Sequence, residues 1–73
     1  MAKNDSQSLR QNPADELAPL GKSLRTVRQE QGLTLRDVAT AAGFSVGFIS
    51  QVERGITVPS LTSLITIGRV LGV

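Results

Sequence analysis

The sequence predicts an all-α fold of four short helices, and three observations carry that prediction. After residue 19, apolar residues recur at helical spacing, and no stretch alternates as a half-buried strand requires. A glycine follows each of four periodic segments, at Gly32, Gly43, Gly55 and Gly72, where a residue free to turn left-handed ends a helix. Thr34, Ser45 and Ser60 stand just ahead of three of these segments, and their hydroxyls can accept from the free amides of a first helical turn. Seventy-three residues form one small domain with an economical core.

Residues 1–19 are rich in Asn, Gln, Ser and Asp, are interrupted by Pro13 and Pro19, and read as a flexible N-terminal tail. The only helical signal there is weak, over Ala14 to Leu17. The folded domain spans residues 20–73. Helix one is expected from Leu20 to Gln31, with Leu20, Leu24, Val27 and, at the edge, Arg28 on one face. Leu33 then drops toward the core. Helix two starts near Leu35 behind Thr34, whose partner Asp37 lies three residues on, a capping-box spacing. Val38, Ala39 and Ala42 share its inner face. Helix three starts near Val46 behind Ser45 and turns Ile49 and Val52 inward, with Phe44 ahead of them. Ile56, Thr57, Val58 and Pro59 read as an extended link, because the residue before a proline is pushed away from helix. Helix four follows Ser60, with Leu61, Leu64, Ile65, Ile67 and Leu71 as its apolar positions.

Composition excludes several classes of function. The chain has no cysteine and no histidine, so a disulfide framework, a thiolate metal site and the commonest general base are all ruled out, and neither metal nor cofactor is expected. No apolar run approaches the roughly 18 residues of a membrane span, and no signal-peptide core is present, so a cytoplasmic location is expected. An enzyme is not expected, because Glu30, Asp37 and Glu53 have structural explanations and so small a bundle offers little pocket. The net charge is +2. From Leu20 onward six bases face three acids, giving +3, while two bases and three acids leave the first 19 residues at −1. That charge is compatible with a polyanion but does not demand one.

The segment from Thr34 to Gly55 points further. Two helices joined by a tight turn containing Gly43 make the helix-turn-helix unit of DNA-binding proteins. The outer face of helix three carries Val46, Gly47, Ser50, Gln51 and Arg54, of which only Arg54 is charged. A merely solvated face would carry several Lys and Glu residues. Small groups, one amide and a terminal Arg suit entry into a groove. Gly47 costs a helix interior about 1 kcal/mol against alanine, a cost explained if a side chain there would block close approach to DNA. Gln51 can bond adenine N6 and N7 together, and Val46 can meet a thymine methyl. Each also has a plainer reading, as an exposed amide and a stray surface apolar group. Phe48 reads as core or intersubunit packing rather than a base wedge. An arm of residues 1–19 reaching around DNA would carry more bases than Lys3 and Arg10.

Residues 20–73 resemble the phage-repressor helix-turn-helix family (Cro/CI, XRE). The strings that carry the resemblance are Leu33-Thr34-Leu35-Arg36-Asp37-Val38-Ala39, Phe44-Ser45, Ile49-Ser50-Gln51-Val52-Glu53-Arg54-Gly55, Pro59-Ser60-Leu61 and Leu71-Gly72-Val73. The wording from Ser45 to Gln51 looks most like the branch that often carries a C-terminal cupin domain. The resemblance implies a lambda-repressor-like fold, four-helix here because the family's fifth and last helix is missing. It implies double-stranded DNA as partner, with helix three in the major groove and Val46, Gly47, Ser50 and Gln51 at base-contacting positions. Thr34, Arg36, Ser45, Arg54 and Ser60 match backbone contacts. Leu35 departs from the pattern, since many relatives place a phosphate-gripping glutamine there. Arg28 and Glu53 match a partly buried salt bridge between helices one and three. A full-length protein would be a homodimer, whereas the few apolar residues after Arg69 predict that this chain alone is a monomer.

The competing reading is a protein-interaction module, such as an antitoxin or adaptor on the same fold. A helix that binds a protein groove shows Leu, Met or aromatic anchors at helical spacing. Helix three shows Gly, Ser and Gln there, which favours a sequence-specific DNA-binding domain of a bacterial or phage transcription regulator.

Overall fold

A computed structural model describes residues 13–73, with side chains from residue 19 onward. Its four helices are α1 (Pro13–Glu30), α2 (Leu35–Ala42), α3 (Val46–Glu53) and α4 (Leu61–Leu71). The expected tail falls partly outside the described residues, at 1–12. Helix one was expected from Leu20, but α1 begins at Pro13 and runs through Pro19. Proline at a first helical position forfeits only an amide that has no intrahelical partner. Pro19 removes one internal bond and crowds the carbonyl four residues back, yet the turns on either side keep theirs. Among the described residues no helix is long and apolar enough to cross a membrane.

Caps delimit the three shorter helices. Thr34 Oγ1 accepts from the Asp37 amide at 3.0 Å, and Asp37 Oδ2 accepts from the Thr34 amide at 2.8 Å, closing the capping box. The bond from the Thr34 amide, helped by the Thr34 side chain, holds the exposed Asp37 carboxyl below the usual carboxylate range. Gly43 ends α2 at φ 77°, so the turn into α3 takes only three residues. Ser45 Oγ accepts from the Phe48 amide at 3.0 Å, and Ser60 Oγ from the Ser63 amide at 3.1 Å.

The core is Leu24 of α1, Val38 and Ala39 of α2, Ile49 and Val52 of α3, and Ile67 and Leu71 of α4. Leu20, Leu33, Phe44 and Phe48 close its edges. The Phe44 and Phe48 rings meet edge to face, with centroids 4.9 Å apart. Phe48 is thus engaged within the domain. Helices α3 and α4 each pack on both α1 and α2. Of the five apolar positions read on helix four, two lie outside the core: Leu61 is 73% and Ile65 46% exposed. At roughly 100° per residue, Leu61 falls about a quarter-turn and Ile65 about a third of a turn from the middle of the stripe of Leu64, Ile67 and Leu71.

Candidate nucleic-acid interface

Helix α3 is held from behind and left bare in front. Ile49 and Val52 anchor its inner face. Two contacts from α1 fix its C-terminal end. The first is Gly21, where an added Cβ would run into the carbonyl oxygens of Val52 and Glu53, 2.8 Å from the latter. Only a residue without a side chain lets α1 come so close. The sequence does carry a signal for this, since a glycine inside a helix is unfavourable unless packing demands it.

The second contact is the pair of Arg28 and Glu53. Arg28 Nε donates to Glu53 Oε2 at 2.7 Å and Nη2 to Oε1 at 3.0 Å, a bidentate fork. Arg28 Nη1 also donates to the Leu33 carbonyl at 2.8 Å, tying in the turn before α2. The two side chains are 10% and 7% exposed. The hydrogen bond to Glu53 raises the Arg28 pKa above its ordinary value, against a smaller opposing effect of burial. With three donor atoms so engaged, Arg28 is a structural residue. Gln31, just past the same end of α1, adds a tie to α4: its Nε2 donates to the Leu71 carbonyl and occupies an acceptor at the end of that helix.

On the outer side, Val46, Gly47, Gln51 and Arg54 are exposed and Ser50 is half-buried. A Cβ at Gly47 would meet nothing within 4 Å. Gly47 has no positive φ either, so neither crowding nor backbone conformation in the folded chain calls for a glycine. Thr34, Arg36, Ser45 and Ser60 are all exposed. Thr34, Ser45 and Ser60 are the N-caps of α2, α3 and α4, so each stands beside free first-turn amides. Arg36 lies in the first turn of α2. The arrangement therefore offers a bare helix of small and amide side chains, three helix N-termini and two exposed guanidinium groups.

The chain is similar to known proteins over most of its length. Residues 24–73 match the family model HTH_3, described as helix-turn-helix. The chain is 46% identical over 54 residues to the HTH-type transcriptional regulator DdrOP3 of Deinococcus deserti, an alignment that covers 74% of this chain and 42% of DdrOP3. It is 35% identical over 54 residues to an uncharacterized HTH-type transcriptional regulator, y4dJ, of Sinorhizobium fredii, covering 74% of this chain and 70% of that protein. It is 46% identical over 41 residues to the transcriptional regulator ClgR of Mycobacterium tuberculosis, covering 56% of this chain and 37% of ClgR. The chain thus matches less than half the length of DdrOP3 and ClgR. By its helices, its bare α3 and these matches, the chain belongs to the HTH_3 helix-turn-helix family and is a DNA-binding domain of the transcription-regulator type.

Proposed function

We propose that α3 lies in the major groove of double-stranded DNA and reads sequence there. Val46, Gly47, Ser50 and Gln51 face the bases, and Thr34, Arg36, Ser45, Arg54 and Ser60 hold the phosphates on either side. The observation that carries this reading is Gly47: it weakens α3, nothing in the fold calls for it, and it lies at the tip of a face whose only charge is Arg54. The three N-caps support the phosphate contacts, because free amides at a helix start favour an anion. The half-buried Ser50 reaches a base edge less fully than Gln51 does.

Part of a regulator that acts on DNA would work in the cytoplasm. Much of DdrOP3 and ClgR lies outside the matched region, so the whole protein's assembly forms part of this proposal. In it, the whole protein dimerises through a further domain, a cupin of the kind that the Ser45 to Gln51 wording resembles. Residues 1–73 alone are a monomer in free solution.

Selection from a pool of random duplexes tests the reading. It should yield a preferred site bound more tightly than random DNA. Gln51→Ala should cost about 1–3 kcal/mol on that site and relax the preference at one base pair. Equal losses on selected and random DNA would contradict base reading by Gln51.

A further inference from the structure

We propose that α3 takes A·T pairs, with Gln51 on adenine N6 and N7 and Val46 on a thymine C5 methyl, so that base methyl groups in the major groove control binding. This inference rests on the DNA-binding reading above and names the bases that it takes. The bases a helix accepts follow from the groups it presents. Guanine shows the major groove two acceptors, which the donors of Arg or Lys fit, and cytosine shows a donor, which a carboxylate fits. From Val46 to Glu53, α3 has no cation. Its one carboxylate, Glu53, is 7% exposed and is engaged by Arg28. Arg54 caps the far end of α3, about 12 Å along the axis from Val46, whereas the N-terminal residues of a recognition helix meet the bases. The exposed Gln51 remains, and its amide carries donors beside an acceptor. Adenine alone shows the groove an acceptor beside a donor, N7 beside N6.

The surroundings of Gln51 suit that contact. At roughly 100° per residue, Val46 and Ser50 lie on one flank of the outer face and Gln51 on the other, with Gly47 between them. A helical side chain leans toward the N-terminus over the preceding turn, and for Gln51 that turn carries Gly47. The space there is open, since a Cβ on Gly47 would meet nothing within 4 Å. The Gln51 carbonyl accepts from the Ile56 amide at 2.9 Å, so the link after α3 holds its backbone in place. On the opposite flank, Val46 is 36% exposed. The thymine methyl is the apolar group that the major groove offers, and it lies across an A·T pair from adenine N7, as Val46 lies across α3 from Gln51. Two chemical changes in the DNA therefore bear on binding. In a paired duplex, the methyl of N6-methyladenine replaces the amino hydrogen that projects into the groove, which is the one the Gln51 oxygen accepts. Uracil in place of thymine removes the surface that Val46 covers.

The test uses residues 1–73 and the duplex site selected from random DNA, with modified bases placed one at a time. At the pair where Gln51→Ala relaxes the preference, the selected base should be adenine. N6-methyladenine there should weaken binding about tenfold, the size of a good bidentate contact, and Gln51→Ala should bind plain and methylated duplexes alike. Uracil at one thymine should weaken binding about fourfold, as loss of one buried methyl group does, and Val46→Ala should lose most of that difference. Both substitutions change exposed positions. Guanine or cytosine at the Gln51 position, either modified duplex bound as tightly as the plain one, or a difference that survives its substitution in full overturns the proposal, while the selected site still upholds DNA reading. Failure to select any site refutes the DNA-binding reading itself, and the inference falls with it.

Discussion

Gly21 of α1 lies against the backbone of Glu53 at the end of α3, where an added methyl group would sit 2.8 Å from the Glu53 carbonyl oxygen and would also overlap the Val52 carbonyl. Alanine favours a helix over glycine by about 1 kcal/mol, but backbone carbonyls at a packed crossing cannot step aside as a flexible side chain does. Gly21→Ala should therefore destabilise the domain by a net 1–3 kcal/mol, on the order of other overpacked sites. In a domain this small each kcal/mol lowers the thermal midpoint by about 4–8 °C. Thermal unfolding followed by circular dichroism measures it, and an unchanged or raised midpoint would show that α1 shifts freely over α3.

Arg28 and Glu53 should behave as a buried pair. Arg28→Ala leaves the Glu53 carboxylate in a site with little water, and it also frees the Leu33 carbonyl. The expected loss is about 3–5 kcal/mol, measured by chemical denaturation. Replacing both partners with apolar residues, Arg28→Met with Glu53→Leu, should recover much of it, because no charge is then left buried. A loss from Arg28→Ala as small as about 1 kcal/mol would be that of an exposed ion pair and would contradict the burial.

The capping box predicts an acid limb of stability. Asp37 has its folded pKa depressed by the Thr34 bonds. Its contribution is therefore complete above the unfolded value of about 4 and is lost as pH falls through the lower folded value. Asp37→Asn, which cannot ionise, should be less stable than the parent at pH 7 and converge with it toward pH 2. Melting curves at both pH values decide this, and a stability gap that stays constant across the range would remove ionisation of Asp37 from the account.

What the sequence revealed, and what it hid, follows from the range of the forces involved. The caps at Thr34, Ser45 and Ser60 and the left-handed Gly43 and Gly72 are local, since each depends on a few neighbours, and they were legible. The inward stripe of Ile49 and Val52 was legible from spacing alone. Arg28 and Glu53 lie 25 positions apart, and their pairing was accessible only through the family resemblance. A glycine inside α1 signals that something packs closely at Gly21, but that the neighbour is the end of α3 depends on where the two helices meet, which no local pattern encodes. The start of α1 was misplaced because Pro19 was read as a stop, although a proline can remain inside a helix at the cost of a bond. Hydrophobicity marked five apolar positions on helix four without saying which turn inward, and the angle of Leu61 and Ile65 around α4 places those two outside the core.

Gly47 separates folding from binding most sharply. A Cβ at Gly47 meets open space, whereas one at Gly21 meets backbone, so the same substitution should act with opposite sign at the two positions. Gly47→Ala removes the entropic cost of glycine from α3 and should stabilise the domain by about 0.5–1 kcal/mol. If α3 enters the major groove by its N-terminal end, the new methyl group stands between the helix and the bases. Affinity for the selected site should then fall about tenfold, near 1.4 kcal/mol, while weak salt-dependent binding to random DNA changes little, because phosphate contacts carry it. Thermal melts and titrations of one protein preparation read both effects. A more stable variant with undiminished site affinity would mean that Gly47 does not approach the bases, and the register of α3 in the groove would have to be redrawn.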